Sequence, residues 1–108
     1  MTIVSTVTLR QGTEPDWDAA MRERLAAARH QPGWIAAQIL VPLDGPDKRV
    51  IIGTWDTRAD WEAWHNDPAF AETRRRLAGL EAEPARDAWH EVIQAVRREG
   101  AAGTTRAA

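Results

Sequence analysis

Cysteine is absent from the 108-residue chain. Its absence excludes disulfides, thiolate nucleophiles and cysteine-ligated zinc or iron–sulfur sites, and points to a cytoplasmic compartment. Tyrosine is absent as well and phenylalanine occurs once, so nearly all aromatic surface is carried by six tryptophans. Neither sign of charge dominates: 14 basic side chains stand against 16 acidic ones, for a formal net charge of −2. That balance is not the footprint of a nucleic-acid binder or a polybasic membrane anchor, so neither is expected as a partner. No basic segment precedes an apolar core at the N-terminus, and no apolar run approaches bilayer thickness. Glycine-rich phosphate loops, serine-centred nucleophile elbows, paired carboxylates and histidine pairs at helical metal spacing are all missing, so no metal site is expected. A chain this short builds one hydrophobic core. We expect a single domain over residues 1–96 and a flexible tail over 97–108, where Ala, Gly, Thr and Arg succeed one another without periodicity.

What is present reads as alternating elements. Residues 2–10 are rich in β-branched side chains, with Ile3, Val7 and Leu9 at alternate positions, as in a strand. Thr13 or Glu14 opens a helix with Pro15 in its first turn, and Trp17, Ala20, Met21, Leu25 and Ala28 fall on one face. Pro32-Gly33 stops it. Residues 34–43 are apolar at both parities, which predicts a strand covered on both sides, with Ile35, Ala37 and Ile39 on one face and Trp34, Ala36 and Leu40 on the other around Gln38. The turn Asp44-Gly45-Pro46-Asp47 joins it to a partner strand over 49–57. Thr57 and Asp60 have the spacing of a capping box ahead of a short helix, which Asn66-Asp67-Pro68 breaks before a second helical stretch over 69–80. Residues 88–96 alternate as a fourth strand. The order β-α-β-β-α-β is that of an α+β ferredoxin-like domain with an antiparallel sheet. Two helical segments cover one face of such a sheet, so the other face is expected to pair with a second copy in a homodimer.

With these elements placed, the chain resembles the antibiotic biosynthesis monooxygenase family, a branch of the dimeric α+β barrel proteins. The resemblance rests on Pro32-Gly33-Trp34, on Gln38, on the run from Val50 through Trp55-Asp56-Thr57-Arg58-Ala59-Asp60-Trp61 to Trp64, and on Asn66-Asp67-Pro68-Ala69-Phe70. It implies a pocket between sheet and helices. It also implies small cofactor-free oxygenases that convert anthrone-like or phenolic polyketide intermediates to quinones with molecular oxygen. In those enzymes a Trp at the end of strand three and an Asn four residues earlier are implicated; Trp55 matches the first, and Ile51 stands at the second. The haem-degrading branch of the family uses an Asn in strand one, a Trp in the second helix and an axial His ten residues beyond it. Trp64 matches that Trp, whereas Ser5 and Arg74 occupy the other two positions.

Two indoles and an imidazole share one side of the short helix, because Trp61 lies three residues from Trp64 and four from His65. A flat aromatic ligand would stack there; the competing reading is that the indoles only anchor the helix on the sheet. His65 is the candidate base for a phenolic or benzylic proton, against the plainer role of a surface group. Arg74, one turn after Phe70, is the candidate stabiliser of an enolate, phenolate or carboxylate, with Arg75 and Arg76 as solvated neighbours. The expected catalytic set is thus His65, Trp55 and Arg74, and the substrate-binding set is Trp61, Trp64, Phe70, Ser5, Ile51 and Gln38. The leading functional reading is a cofactor-independent monooxygenase acting on a small aromatic, polyketide-like substrate. A non-catalytic barrel binding haem or another hydrophobic ligand stays open beside it, as does a polyketide cyclase or isomerase using the same acid–base groups without oxygen.

Overall fold

The computed structural model describes residues 1–98. Its elements are β1 (Thr2–Thr8), α1 (Glu14–Ala28), β2 (Trp34–Leu40), β3 (Lys48–Trp55), α2 (Arg58–His65), α3 (Pro68–Leu77) and β4 (Arg86–His90). The four strands form one sheet in the order β2-β3-β1-β4 with every neighbouring pair antiparallel, the ferredoxin-like arrangement. A single chain supplies an open sheet, not a closed barrel.

Local chemistry accounts for most boundaries. Thr57 caps α2: its Oγ1 accepts from the Asp60 backbone N–H at 3.1 Å and donates to Asp60 Oδ2 at 2.9 Å. Asp60 is one methylene shorter than the usual glutamate and takes the hydroxyl. Asp67 caps α3 by accepting from the Ala69 N–H at 2.8 Å, with Pro68 in the first turn where its missing N–H costs nothing. Gly33 ends the connection after α1 at φ +83°, and its carbonyl accepts from Asp56 N–H at 2.7 Å. An added Cβ there would lie 2.3 Å from Asp60 Oδ2, so this position requires glycine both by conformation and by space.

The core lies between the helices and one sheet face. Val7, Leu9, Trp17, Ala20, Met21 and Leu77 form one cluster, and Ala28, Trp55, Trp64 and Phe70 form a second. Trp17 is fully enclosed and donates its indole N–H to Glu81 Oε2 at 3.1 Å. Arg49 is the buried charge of the sheet. Its guanidinium donates to both oxygens of Asp18 on α1, at 2.8 and 3.0 Å, and to the carbonyls of Pro46 and Lys48.

Three sequence expectations are corrected. The fourth strand runs over Arg86–His90, and Val92, Ile93 and Val96 are exposed outside any strand. Side-chain alternation continues past His90, but Thr2, the first residue of β1, already faces His90, so Glu91 and its successors have no strand to pair with. On β2, one step of β3 from Trp55 to Thr54 is matched by two steps from Trp34 to Ala36. This bulge at Ile35 turns Trp34 to the helix side, away from Ala36 and Leu40, with which alternation had grouped it. The expected shoulders of the strand beyond Leu40 and of α3 beyond Leu77 lie outside those elements, in the connections that follow them. Of the expected tail over 97–108, residues 99–108 lie outside the described residues.

Candidate active site

A cavity of about 410 Å³ opens between the sheet and the helices. Its floor comes from inward-facing strand positions, Ile3, Ser5 and Val7 on β1, Ala37 on β2, Ile51, Gly53 and Trp55 on β3, and Asp87 on β4. Its roof comes from Met21, Arg24 and Ala28 on α1, Trp61, Trp64 and His65 on α2, and Phe70 and Arg74 on α3. Gly53 keeps the centre of the floor low, since any side chain there would rise into the cavity beside Ile3 and Trp55.

The aromatic groups pack as a chain. The His65 ring lies 3.7 Å from the Trp61 ring and 4.0 Å from that of Phe70, centroid to centroid. Trp64 meets Phe70 edge to face at 5.6 Å, and Trp61 meets Trp89 of β4 in the same manner at 5.0 Å. Trp55 and Trp64 are each 3 % exposed, so these two indoles serve the core and the cavity wall together. Of the pair on α2, Trp61 and Trp64 both line the cavity, and Trp64 also packs in the core cluster with Trp55 and Phe70.

His65 Nδ1 donates to the Trp61 carbonyl oxygen at 2.9 Å, which fixes the ring and leaves Nε2 with the lone pair in the neutral form. Its pKa lies below the ordinary 6.5. Burial is the main cause, the positive charges of Arg24 and Arg74 act in the same direction, and the Trp61 carbonyl and Asp87 oppose them. The imidazole is therefore neutral at pH 7 and able to accept a proton. Arg24 is lowered to about 10, first by burial and then by repulsion from Arg74, with Glu81 offsetting part of the shift. It remains a cation at neutral pH. Both guanidinia lie over Phe70, Arg24 at 4.1 Å and Arg74 at 5.0 Å from the ring centroid. Arg75 and Arg76 pair with Glu72 and Glu23 on the outside, so one of the three consecutive arginines turns inward. Ser5 Oγ donates to Asp87 Oδ1 at 2.7 Å across β1 and β4.

Eight of the nine residues singled out from the sequence line this cavity: Trp55, His65, Arg74, Trp61, Trp64, Phe70, Ser5 and Ile51. Gln38 does not. It pairs with Ile52 on β3, and because Ile51 and Gly53 form the floor, Ile52 and Gln38 point to the opposite face of the sheet. Sequence reasoning missed Arg24 and Asp87. Arg24 interrupts the apolar stripe of α1 between Met21 and Ala28, and a charge in a core position is itself a signal of function. Asp87 shares the inward parity of Trp89 but precedes the strand start that alternation suggested. Among the described residues, no three histidine or carboxylate side chains cluster as a metal site, and no helix is long and apolar enough to cross a membrane.

Similar sequences and folds occur among known proteins. A haem oxygenase (mycobilin-producing) of Mycobacterium tuberculosis is 25% identical over 68 residues, which cover 63% of this chain and 65% of that protein. The match thus spans less than two thirds of the relative's length. A solved structure from Nitrosomonas europaea, assigned provisionally to the antibiotic biosynthesis monooxygenases, superposes with a TM-score of 0.82 at 20% identity, covering 85% of this chain and 88% of the other. The N63A variant of SnoaB, a cofactor-independent oxygenase from Streptomyces nogalater, superposes with a TM-score of 0.77 at 18% identity, covering 90% and 96%. At these identities the superpositions establish a common fold. The family model for antibiotic biosynthesis monooxygenases matches residues 1–76, which hold β1, α1, β2, β3, α2 and most of α3 and therefore most of the cavity, and the chain belongs to that family.

Proposed function

We propose that the protein is a cofactor-independent monooxygenase that oxidises a small aromatic, polyketide-like substrate with molecular oxygen. The observation that carries this reading is a neutral imidazole, with its Nε2 lone pair free, in a tryptophan-walled cavity flanked by two guanidinia. His65 removes a phenolic or benzylic proton, and Arg74 lowers the cost of the resulting anion. Trp55, Trp61 and Trp64 hold the ring plane and exclude water, and Phe70, Ser5 and Ile51 complete the binding surface. The electron-rich anion reduces oxygen directly. The two combine as a hydroperoxide, and loss of water leaves a carbonyl, so that one CH₂ and one O₂ yield one C=O and one H₂O. The test is oxygen uptake by metal-free protein with a panel of anthrones and hydroquinones. Acceleration that is lost in His65→Gln is expected, and no acceleration with any member would overturn the proposal.

The working unit in this reading is a homodimer through the sheet face away from the helices. That face carries Val4, Ile52 and Ala88 in one row with Gln38, and Val50 beside Leu40, which is 40 % exposed. A stable monomer in sedimentation at micromolar concentration would overturn this. The lack of cysteine supports a cytoplasmic setting.

A second reading, binding or turnover of haem, is favoured by the mycobacterial relative. His65 Nε2 offers an imidazole nitrogen, while Arg74 stands where the haem-degrading branch has its axial His. A Soret shift on haem titration that disappears in His65→Ala would support it.

A further inference from the structure

Arg24 occupies a place where a leucine or methionine would serve the fold. It falls in the stripe of Ala20, Met21 and Ala28 that packs α1 on the sheet, and it is half-buried over the Phe70 ring. Its Nε–H donates to Thr73 Oγ1 at 2.9 Å, and Thr73 donates in turn to the Phe70 carbonyl at 2.8 Å, so the guanidinium plane is held in a set orientation. Among the described residues no carboxylate lies within ion-pair distance of Arg24 or Arg74. The two carboxylates that line the cavity are engaged elsewhere, Glu81 by the Trp17 indole and Asp87 by Ser5. The two guanidinia share one cavity over one ring, and the charge of Arg74 disfavours that of Arg24. Arg24 is half-buried and Arg74 is exposed at the cavity mouth, so their outer guanidinium nitrogens, which have no protein partner among the described residues, are open to an anion entering the cavity.

We propose that the substrate carries a carboxylate and that Arg24, joined by Arg74 over the shared Phe70 ring, is the subsite that receives it. This rests on the aromatic-oxygenase reading of the same cavity and narrows its substrate class to aromatic acids. The pairing needs a permanent charge, because the guanidinia are unpaired before any proton is removed, and a carboxylate matches the planar fork of an arginine in two parallel hydrogen bonds. With the acid at the α1/α3 end, the fused rings extend beneath His65, Trp61 and Trp64. With Arg24 as the main partner of the carboxylate, Arg74 stays within reach of the anion formed in the reaction.

The test uses quinones, which are already oxidised and so report binding without turnover. Quenching of tryptophan fluorescence at pH 7.5 gives the affinities of anthraquinone-2-carboxylate and anthraquinone-2-carboxamide. The carboxylate is expected to bind at least tenfold more tightly, with a preference that falls as salt rises. In Arg24→Gln the ratio should drop toward one, Arg74→Gln should lower it in part, and Arg24→Lys should retain a portion of it, with melting temperatures confirming that each variant folds. Equal affinity for acid and amide, or a ratio that survives both glutamine substitutions, would overturn the subsite. Binding of neither quinone would remove the aromatic reading of the cavity with it. Selective binding of the acid without oxygen uptake on the matching anthrone acid would leave the subsite standing and remove only the oxygenase.

Discussion

Asp18→Asn tests whether the clamp between α1 and β3 holds the cavity together. Arg49 is 4 % exposed, and Asp18 neutralises it through two hydrogen bonds of 2.8 and 3.0 Å. Breaking one side of a fully buried pair costs about 3–5 kcal/mol, and an exposed pair is worth about 0.2–1. The Asp18 side chain is 26% exposed, and two backbone carbonyls continue to satisfy part of the Arg49 guanidinium. Both facts pull the expectation to about 2 kcal/mol. For a domain of this size that corresponds to a fall in Tm of roughly 8–16 °C. Because the cost comes from stranding a buried charge, Asp18→Ala with Arg49→Met should recover more than half of the loss, and a double-mutant cycle by urea titration should return a coupling of at least about 1 kcal/mol. A single Asp18→Asn variant within about 0.5 kcal/mol of wild type would refute the reasoning, since it would mean that solvent already screens the pair.

The pH dependence is set by His65. Its folded pKa is depressed below 6.5, so its contribution to stability is complete above 6.5 and is lost as pH falls through the lower folded value; His65→Gln should flatten urea midpoints across that window. The same neutral imidazole predicts that kcat/KM for an anthrone holds steady down to pH 6.5 and declines only below it, and a decline beginning above pH 7 would contradict the assignment. Gly33→Ala, at φ +83° and with its Cβ driven onto Asp60, should cost about 2–3 kcal/mol by combining left-handed strain with the loss of the Thr57 cap, as read by thermal melting. At Gly53 a Cβ would meet Ile3 at an ordinary 3.6 Å, so Gly53→Ala should fold normally yet weaken quinone binding, and unchanged affinity would mean that ligand does not reach the floor.

The element order and its interruptions were legible because they are written in local chemistry. Proline at 15, 32 and 68, glycine at 33 and the Thr57–Asp60 pair act within a few residues of where they stand. So were the aromatic residues of α2 and α3, since helical spacing alone brings Trp61 and His65 together. What escaped depends on contacts far away in sequence. The end of β4 is fixed by where β1 begins, not by its own alternation, which continues past His90. The bulge at Ile35 reverses the face of Trp34 without any glycine or proline to announce it. Gln38 entered the binding set through family resemblance, although its alternation with Ala36 and Leu40 already set it on their side of the sheet. Arg24 was passed over because a charged residue on an amphipathic helix is ordinarily assigned to solvent, and only the position of Thr73 and Phe70 on α3 explains why it turns in.

The cavity is thinly walled along β4. The helices and β3 around it bury tryptophan, methionine or phenylalanine, whereas β4 is a five-residue edge strand whose residues are exposed except for half-buried Trp89. It is joined to β1 along one side, with Ser5–Asp87, the Trp61–Trp89 contact and Arg58 over the Trp89 ring as side-chain fastenings. Few buried contacts and an exposed outer edge put such a strand among the segments expected to open below the free energy of global unfolding. Its amides should exchange with solvent faster than those of β1 and β3, and in the proposed oxygenase the interval between openings would set how quickly a flat molecule is admitted and a product let go. For the proposed oxygenase, turnover would then be timed at the margin of the sheet, while the chemistry would proceed at its centre.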